Sequence, residues 1–340
     1  MQAPEHLLSD WRIKARTLQS EINKAVIGLD DPVEKIILAV FARGHVMLEG
    51  DVGVGKTTLL RAIARTLGGA YERMEGTIDL MPNDLIYHTY IDDHGKPRVD
   101  PGPLLKQGEQ LAVFFFNEVN RARPQVHSLL LRVMAERSVS AFNREYHFPY
   151  LQVFADRNRV EKEETFEMPS AARDRFLMEL HIEIPDDPEL QQDLMFDPRY
   201  HNVDALIDGL RAAVVPYRGI DPIASLIQEQ IQARAALRKY ALNLWHATRE
   251  PQAFGIQIDG VNMDELVLAG ASTRGMSMLL RTARVHAWLA DRDYLLPEDL
   301  QHVFHEVVGH RIFFTPVYEL QRERLVRQLT CQILNRIAAP

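Results

Sequence analysis

The sequence predicts an α/β fold, a mainly parallel sheet between helices, followed by an all-helical domain. Three observations carry this. Short apolar runs of strand length alternate with segments of helical period through the first half of the chain, a glycine-rich loop joins the first such run to a helix, and beyond Pro185 helical patterns dominate. The 340 residues, 46% of them hydrophobic, exclude disorder and exceed the ~250 to 300 at which one core stops growing. Two domains are expected, residues 1–186 and 187–340, with Asp186-Asp187-Pro188 as the linker.

The elements follow in order. Leu7, Leu8, Trp11, Leu18, Ile22 and Val26 recur at helical spacing up to Ile27-Gly28. A second helix is expected with Asp31 as its cap and Pro32 in its first position, its apolar face made by Val33, Ile36, Ile37, Val40 and Phe41, and Gly44 beyond its end. His45 to Glu49 reads as a strand, and Leu59, Leu60, Ile63 and Leu67 as the helix after it. Leu111 to Phe116 is a continuous apolar run, as expected for a strand covered on both faces. Leu151 to Ala155 and the alternating Phe176, Met178, Leu180, Ile182 and Ile184 complete the predicted sheet. Helices are then expected over Ile223 to Trp245, Met276 to Ala290 and from Pro297-Glu298-Asp299 onward. Two stretches look like insertions: Gly76 to Leu105, rich in polar and turn residues, and Ser138 to Pro149, where Val139, Phe142 and Tyr146 lie around an Asn143-Arg144 turn.

Lys plus Arg number 39 against 47 Asp plus Glu, a formal charge of −8, so bulk electrostatics draw the chain neither to nucleic acid nor to anionic membranes. One cysteine, Cys331, cannot make an intrachain disulfide, and neither a spanning apolar run nor a signal peptide is visible. A cytoplasmic protein without membrane insertion is expected.

Gly50-Asp51-Val52-Gly53-Val54-Gly55-Lys56-Thr57 fits the phosphate-loop pattern in the required setting, between strand and helix. Its glycines let backbone N–H groups curl around phosphate oxygens, the helix N-terminus adds a positive field, Lys56 reaches the β- and γ-phosphates, and Thr57 can ligate magnesium. Thr58 and Ile27 complete the candidate nucleotide contacts. After the second buried strand, Glu118 is placed to polarise an attacking water. Asn117 stands at the neighbouring metal position, where an amide accepts a hydrogen bond but contributes no charge. Lost outer-shell partners cost ~10 to 100-fold in metal affinity or activity, so slow hydrolysis is expected.

These motifs resemble those of the MoxR branch of the AAA+ ATPases, over roughly residues 26–314. Gly44-His45-Val46-Met47-Leu48-Glu49-Gly50 resembles the branch's approach to the phosphate loop. Asn117-Glu118-Val119-Asn120-Arg121-Ala122 resembles its Asp-Glu-Ile-Asn-Arg-Ala signature, with Asn117 as the departure. Ala155-Asp156-Arg157-Asn158-Arg159 occupies the place of its Ala-Thr-Gln-Asn-Pro, which implies that Asn158 is sensor 1. Pro169-Ser170-Ala171-Ala172-Arg173-Asp174-Arg175-Phe176 matches the segment ending in Asp-Arg-Phe, which implies that Arg175 is the arginine finger serving a neighbour, with Arg173 as the alternative. Gly270-Ala271-Ser272-Thr273-Arg274-Gly275 resembles the Gly-Ala-Ser-Pro-Arg element, making Arg274 the sensor 2 candidate. Arg292 to Asp299 and Gly309-His310-Arg311 continue the likeness.

The resemblance implies ATP and Mg2+ as ligands, a homo-oligomer, a hexamer in this branch, a protein client, a von Willebrand factor A domain partner, and the two insertions as hairpins facing a central pore. Phe115-Phe116-Asn117-Glu118-Val119-Asn120-Arg121-Ala122-Arg123-Pro124 most resembles the members associated with methanol dehydrogenase, which implies a chaperone-like role in maturing or activating a metabolic enzyme. The alternatives are a nucleotide-gated binding switch with negligible hydrolysis, as Asn117 would allow, and a nucleic-acid motor or loader, which the acidic charge opposes. His302, His305 and Glu306 stand in the wrong order for a zinc helix, Asp92-Asp93-His94-Gly95 reads as a turn, and Trp11, Trp245 and Trp288 read as packing.

Overall fold

The four expected strands and a fifth at the sheet edge pair side by side in the computed structural model, which describes residues 4–158 and 166–340. The chain opens with helices α1 (Pro4–Ile22) and α2 (Asp30–Phe41), then strand β1 (His45–Glu49), helix α3 (Lys56–Leu67) and strand β2 (Ala70–Glu75). The first insertion forms the hairpin β3 (Tyr87–Ile91) and β4 (Pro97–Pro101), followed by one helical turn, α4 (Pro103–Lys106). Strand β5 (Leu111–Asn117) and helix α5 (Pro124–Glu136) precede the second hairpin, β6 (Ser138–Ala141) and β7 (Arg144–His147). Strand β8 (Gln152–Arg157), the turn-long α6 (Ser170–Arg173) and β9 (Phe176–His181) complete the α/β part.

The sheet order is β2-β5-β8-β1-β9 and every pairing is parallel. All seven residues of β5 are buried, as its uninterrupted apolar run requires. Strand β2 was not legible, because it lies at the sheet edge, pairs only with β5, and mixes charged residues with apolar ones in Tyr71-Glu72-Arg73-Met74. Asp31 is not the cap of α2. Asp30 already lies in the helix, and Asp31 joins the first turn, where its carboxylate meets Lys35 Nζ at 2.9 Å. Strand β9 ends at His181, leaving Ile184 59% exposed beyond it.

After β9 come α7 (Pro188–Phe196), capped by Asp187, and α8 (Val203–Asp208). The expected helix over Ile223 to Trp245 is two, α9 (Ile220–Gln230) and α10 (Ala235–Arg249). They part where Gln232 exchanges backbone hydrogen bonds with Asp293 and Leu295, which takes its amide out of the helical ladder. The helical domain after β9, called the lid from here on, continues through α11 (Met263–Leu266), β10 (Val267–Ala269), α12 (Thr273–Leu289), α13 (Pro297–Val308), β11 (Phe313–Phe314), α14 (Pro316–Glu319) and α15 (Arg322–Arg336). It is helical apart from the two-strand ribbon β10–β11.

One apolar cluster joins α1, α2 and α3 to the lid helices across one sheet face, and a second fills the space under α5 and the hairpins on the other. Trp288 of α12 sits at the centre of the first, its ring 4.9 Å from Phe41 and its indole N–H donating to Leu8 O at 3.1 Å. No helix among the described residues is long and apolar enough to cross a membrane.

Candidate nucleotide site

The site stands at the carboxyl ends of β1, β8 and β5, where a parallel sheet opens its crevice. Strand β1 delivers the glycine loop. Gly53 and Gly55 adopt φ of 85° and 89°, values that L side chains rarely take, and a Cβ on Gly50 would lie 2.2 Å from Ile182 O. The loop tip is open, with Asp51, Val52 and Gly53 exposed, while Lys56 at the head of α3 is buried.

Lys56 Nζ donates to Gly50 O at 2.6 Å and Asn158 Oδ1 at 3.3 Å, and pairs with Asp156 Oδ2 at 2.9 Å. Asn158 Nδ2 in turn donates to Glu118 Oε1 at 3.3 Å, and Arg121 Nη1 donates to Glu118 Oε2 at 3.1 Å. Lys56, Asn158 and Glu118, remote in sequence, thus form one hydrogen-bonded chain. Glu118 has φ 51° and ψ 49°, a left-handed conformation costing ~1 to 3 kcal/mol at sites that persist for function. Its backbone N–H donates to Asp156 Oδ1 at 2.5 Å.

Asn117 closes β5, buried, its carbonyl accepting from Gly76 N–H at 2.8 Å. Thr57 follows Lys56 on α3. The hydroxyl of Thr57, the amide oxygen of Asn117 and the carboxylates of Glu118 and Asp156 are hard oxygen donors of the type magnesium takes, so the residues present fit that ion.

Asp156 was named only as part of a motif, and its own importance was missed. Its signal was a carboxylate ending an apolar strand beside the strand that feeds the phosphate loop. It is 1% exposed, and burial pushes its carboxyl above the ordinary value while Lys56 opposes that shift. Arg159 lies outside the described residues.

Beside the phosphate loop lies a cavity of about 590 Å³. Ile27, Gly53, Val54, Gly55 and Thr58 line one side, and Pro185, Leu194, Tyr200 and Leu206 close the other. The second wall comes from Pro185, α7, α8 and the segment between these helices, which carry no motif. The cavity is mostly apolar at its wall and continuous with the loop, a shape suited to a nucleoside base.

Arg175 lies elsewhere, in the turn between α6 and β9, partly exposed, and among the described residues its side chain has no ion pair. Arg173 points inward, 3.8 Å from Glu179 and over the Phe313 ring. Arg274, at the start of α12, is brought to the Arg175 turn and not to the Lys56 cluster: its Nη1 donates to Asp174 Oδ2 at 3.1 Å. Ser272 Oγ and Arg311 Nε donate to Asp174 Oδ1 at 2.7 and 3.0 Å. The candidate residues therefore form two groups on one protomer, a phosphate-loop cluster and an arginine turn.

The other histidine and turn readings resolve into local contacts. His302 meets Glu34 at 3.2 Å, His305 meets Thr330 at 2.9 Å and Glu306 meets Lys35 at 2.5 Å. Asp92 accepts the N–H groups of His94 and Lys96. In the second insertion the turn falls on Phe142 and Asn143, both left-handed, one residue before the expected Asn143-Arg144.

The description of the ATPase family associated with various cellular activities (AAA) matches residues 45–178, and that of the AAA lid domain matches residues 262–329. The chain is 59% identical over 334 residues to Protein MoxR of Methylorubrum extorquens, covering 98% of this chain and 97% of that one. It is 30% identical to Chaperone MoxR1 of Mycobacterium tuberculosis, covering 94% and 81%. A solved structure of a candidate ATPase from Cytophaga hutchinsonii superposes with a TM-score of 0.83 at 29% identity, over 99% of this chain and 98% of that one. With its phosphate loop, parallel sheet and helical lid, the chain belongs to the MoxR family of AAA ATPases.

Proposed function

We propose that the protein is a magnesium-dependent ATP-hydrolysing remodeller that works as a ring and acts on a protein client through nucleotide-driven movement of its lid against the core. The observation that carries this reading is the chain from Lys56 through Asn158 to Glu118, which joins a phosphate-binding cation to a carboxylate that can orient water. Lys56 would hold the phosphates, Glu118 would accept the proton of the attacking water, Asn158 would orient both, and Thr57 and Asn117 would hold the metal. Magnesium, when bound, neutralises phosphate charge. Asn117 contributes no charge there, which lowers turnover unless another carboxylate replaces it.

The separation of Arg175 from the phosphate-loop cluster supports a shared site between neighbours. Arg173 is engaged by Glu179, which favours Arg175 as the finger, and Arg274 beside it belongs to the same face. We assign residues 1–186 to nucleotide binding and 187–340 to the lid. A hexamer, a von Willebrand factor A domain partner, hairpins facing the pore, a cytoplasmic location and maturation of a methanol dehydrogenase are the finer parts of the proposal, supported by likeness to the MoxR proteins.

The test is ATP turnover per protomer across a wide concentration range with Mg2+. A rate that rises with assembly and disappears in Glu118→Gln is expected, with ATP binding lost in Lys56→Ala. Tight ATP binding without turnover at any concentration would favour the second reading, a nucleotide-gated switch, for which the neutral Asn117 is the specific observation.

A further inference from the structure

Strand β8 lies between β1 and β5, so a side chain at its carboxyl end can reach both the phosphate loop and the Glu118 turn. Asp156 does both: one carboxylate oxygen pairs with Lys56 Nζ at 2.9 Å and the other accepts the Glu118 N–H at 2.5 Å. Phe116 is in register with Ala155, so one residue on Asp156 stands beside Asn117 on the same sheet face. Relative to the family pattern, the chain lacks an acid at 117 and carries one at 156, where the pattern has threonine. The acid is displaced by one strand and the charge of the pair is kept.

A packing role does not account for Asp156. A buried ion pair contributes little net stability compared with apolar residues of the same volume, because both charges must leave water. The pair sits instead where the charge of Lys56, bound phosphates and magnesium must balance.

We propose that Asp156 is a positioning residue that supplies from β8 the negative charge that Asn117 does not supply from β5, setting Lys56 for the phosphates, balancing the magnesium charge and holding the Glu118 backbone. This rests on the reading of the site as a magnesium-dependent ATP site.

Four full-length proteins decide it: wild type, Asp156→Asn, Asn117→Asp and the double variant Asn117→Asp/Asp156→Asn. Binding of a fluorescent ATP analogue is followed as magnesium is titrated against EDTA, with turnover measured alongside. Asp156→Asn is expected to lose about 10 to 100-fold in magnesium-dependent affinity. The double variant regains most of it, because the charge returns from the adjacent strand. Asn117→Asp alone gains nothing, since two carboxylates side by side in a buried site cannot both ionise freely.

Wild-type magnesium dependence in Asp156→Asn, or a double variant no better than Asp156→Asn, would overturn the proposal. So would a tenfold gain from Asn117→Asp alone, and that arm decides the matter even where Asp156→Asn does not fold. Failure of the underlying reading looks different: the wild type itself would bind no nucleotide, or would bind it equally after Lys56→Ala.

Discussion

Arg274 and Asp174, 100 residues apart, are joined by a 3.1 Å hydrogen bond that ties the first turn of the lid helix α12 to the residue before Arg175. Arg311, 1% exposed, takes the other carboxylate oxygen, and burial pushes its guanidinium down to about 10 while Asp174 opposes the shift, so it stays charged at neutral pH. The lid therefore holds the arginine turn directly.

Asp174→Ala is expected to leave Arg311 buried without its carboxylate, at a cost of ~3 to 5 kcal/mol. Chemical denaturation measures this, and an unchanged midpoint would show that the main-chain carbonyls around Arg311 suffice to hold it.

The two arginines flanking Asp174 should separate cleanly. Arg175→Ala keeps stability and ATP affinity but loses ~10³ to 10⁵ in the turnover of assembled protein, the range for a finger supplied by a neighbour. Arg173→Ala instead lowers stability, because it strips a partner from Glu179, which side-chain exposure places at 13%. Mixing Arg175→Ala with Glu118→Gln protomers tests sharing: some activity is expected to return, since a mixed interface can join an intact Glu118 to an intact finger.

Filling the cavity beside the phosphate loop should exclude the base. Leu194→Trp, on the α7 wall, is expected to weaken ATP binding at least tenfold, about 1.4 kcal/mol, with the melting temperature unchanged. Equal affinity in a fluorescent-nucleotide titration would move the base elsewhere.

Acid sensitivity has an identifiable source in His45. Burial pushes its pKa down to about 3, with Arg137, Arg43 and Arg281 adding to the shift and the contact of Nε2 with Met134 O at 3.1 Å opposing it, while Nδ1 accepts the Val153 N–H at 2.9 Å and so carries no proton. Between about pH 6.5 and 3 the unfolded chain binds a proton that the folded one refuses, so this contribution to stability is complete above 6.5 and is lost as pH falls. His45→Gln should shrink the loss of melting temperature between pH 7 and pH 5. An unaltered slope would assign the acid limb to other groups.

The central strands were readable because burial on both faces demands unbroken apolar runs, as in Leu111 to Phe116, and the phosphate loop was readable because its glycines and lysine are contiguous. Strand β2 was not, since an edge strand shares its surface with water and needs no such run. Tyr200 and Leu206 gave no signal either: any apolar residue can wall a cavity, and nothing local distinguishes one that does. The break between α9 and α10 was hidden because it depends on Asp293 and Leu295, some sixty residues away.

Local covalent order was enough to specify the α/β class, the helical lid and the glycine loop that ends in Lys56, because backbone periodicity and a contiguous loop are properties of neighbours in the chain, whereas Asn158 and Arg175 were singled out by resemblance to a family pattern. Which charges meet was decided only by the sheet order and the docking of the lid. Placing β8 between β1 and β5 brought Asp156 to Lys56, and packing α12 and α13 against β9 brought Arg274 and Arg311 to Asp174. Electrostatic interaction depends on distance through space, and no spacing along the chain encodes it.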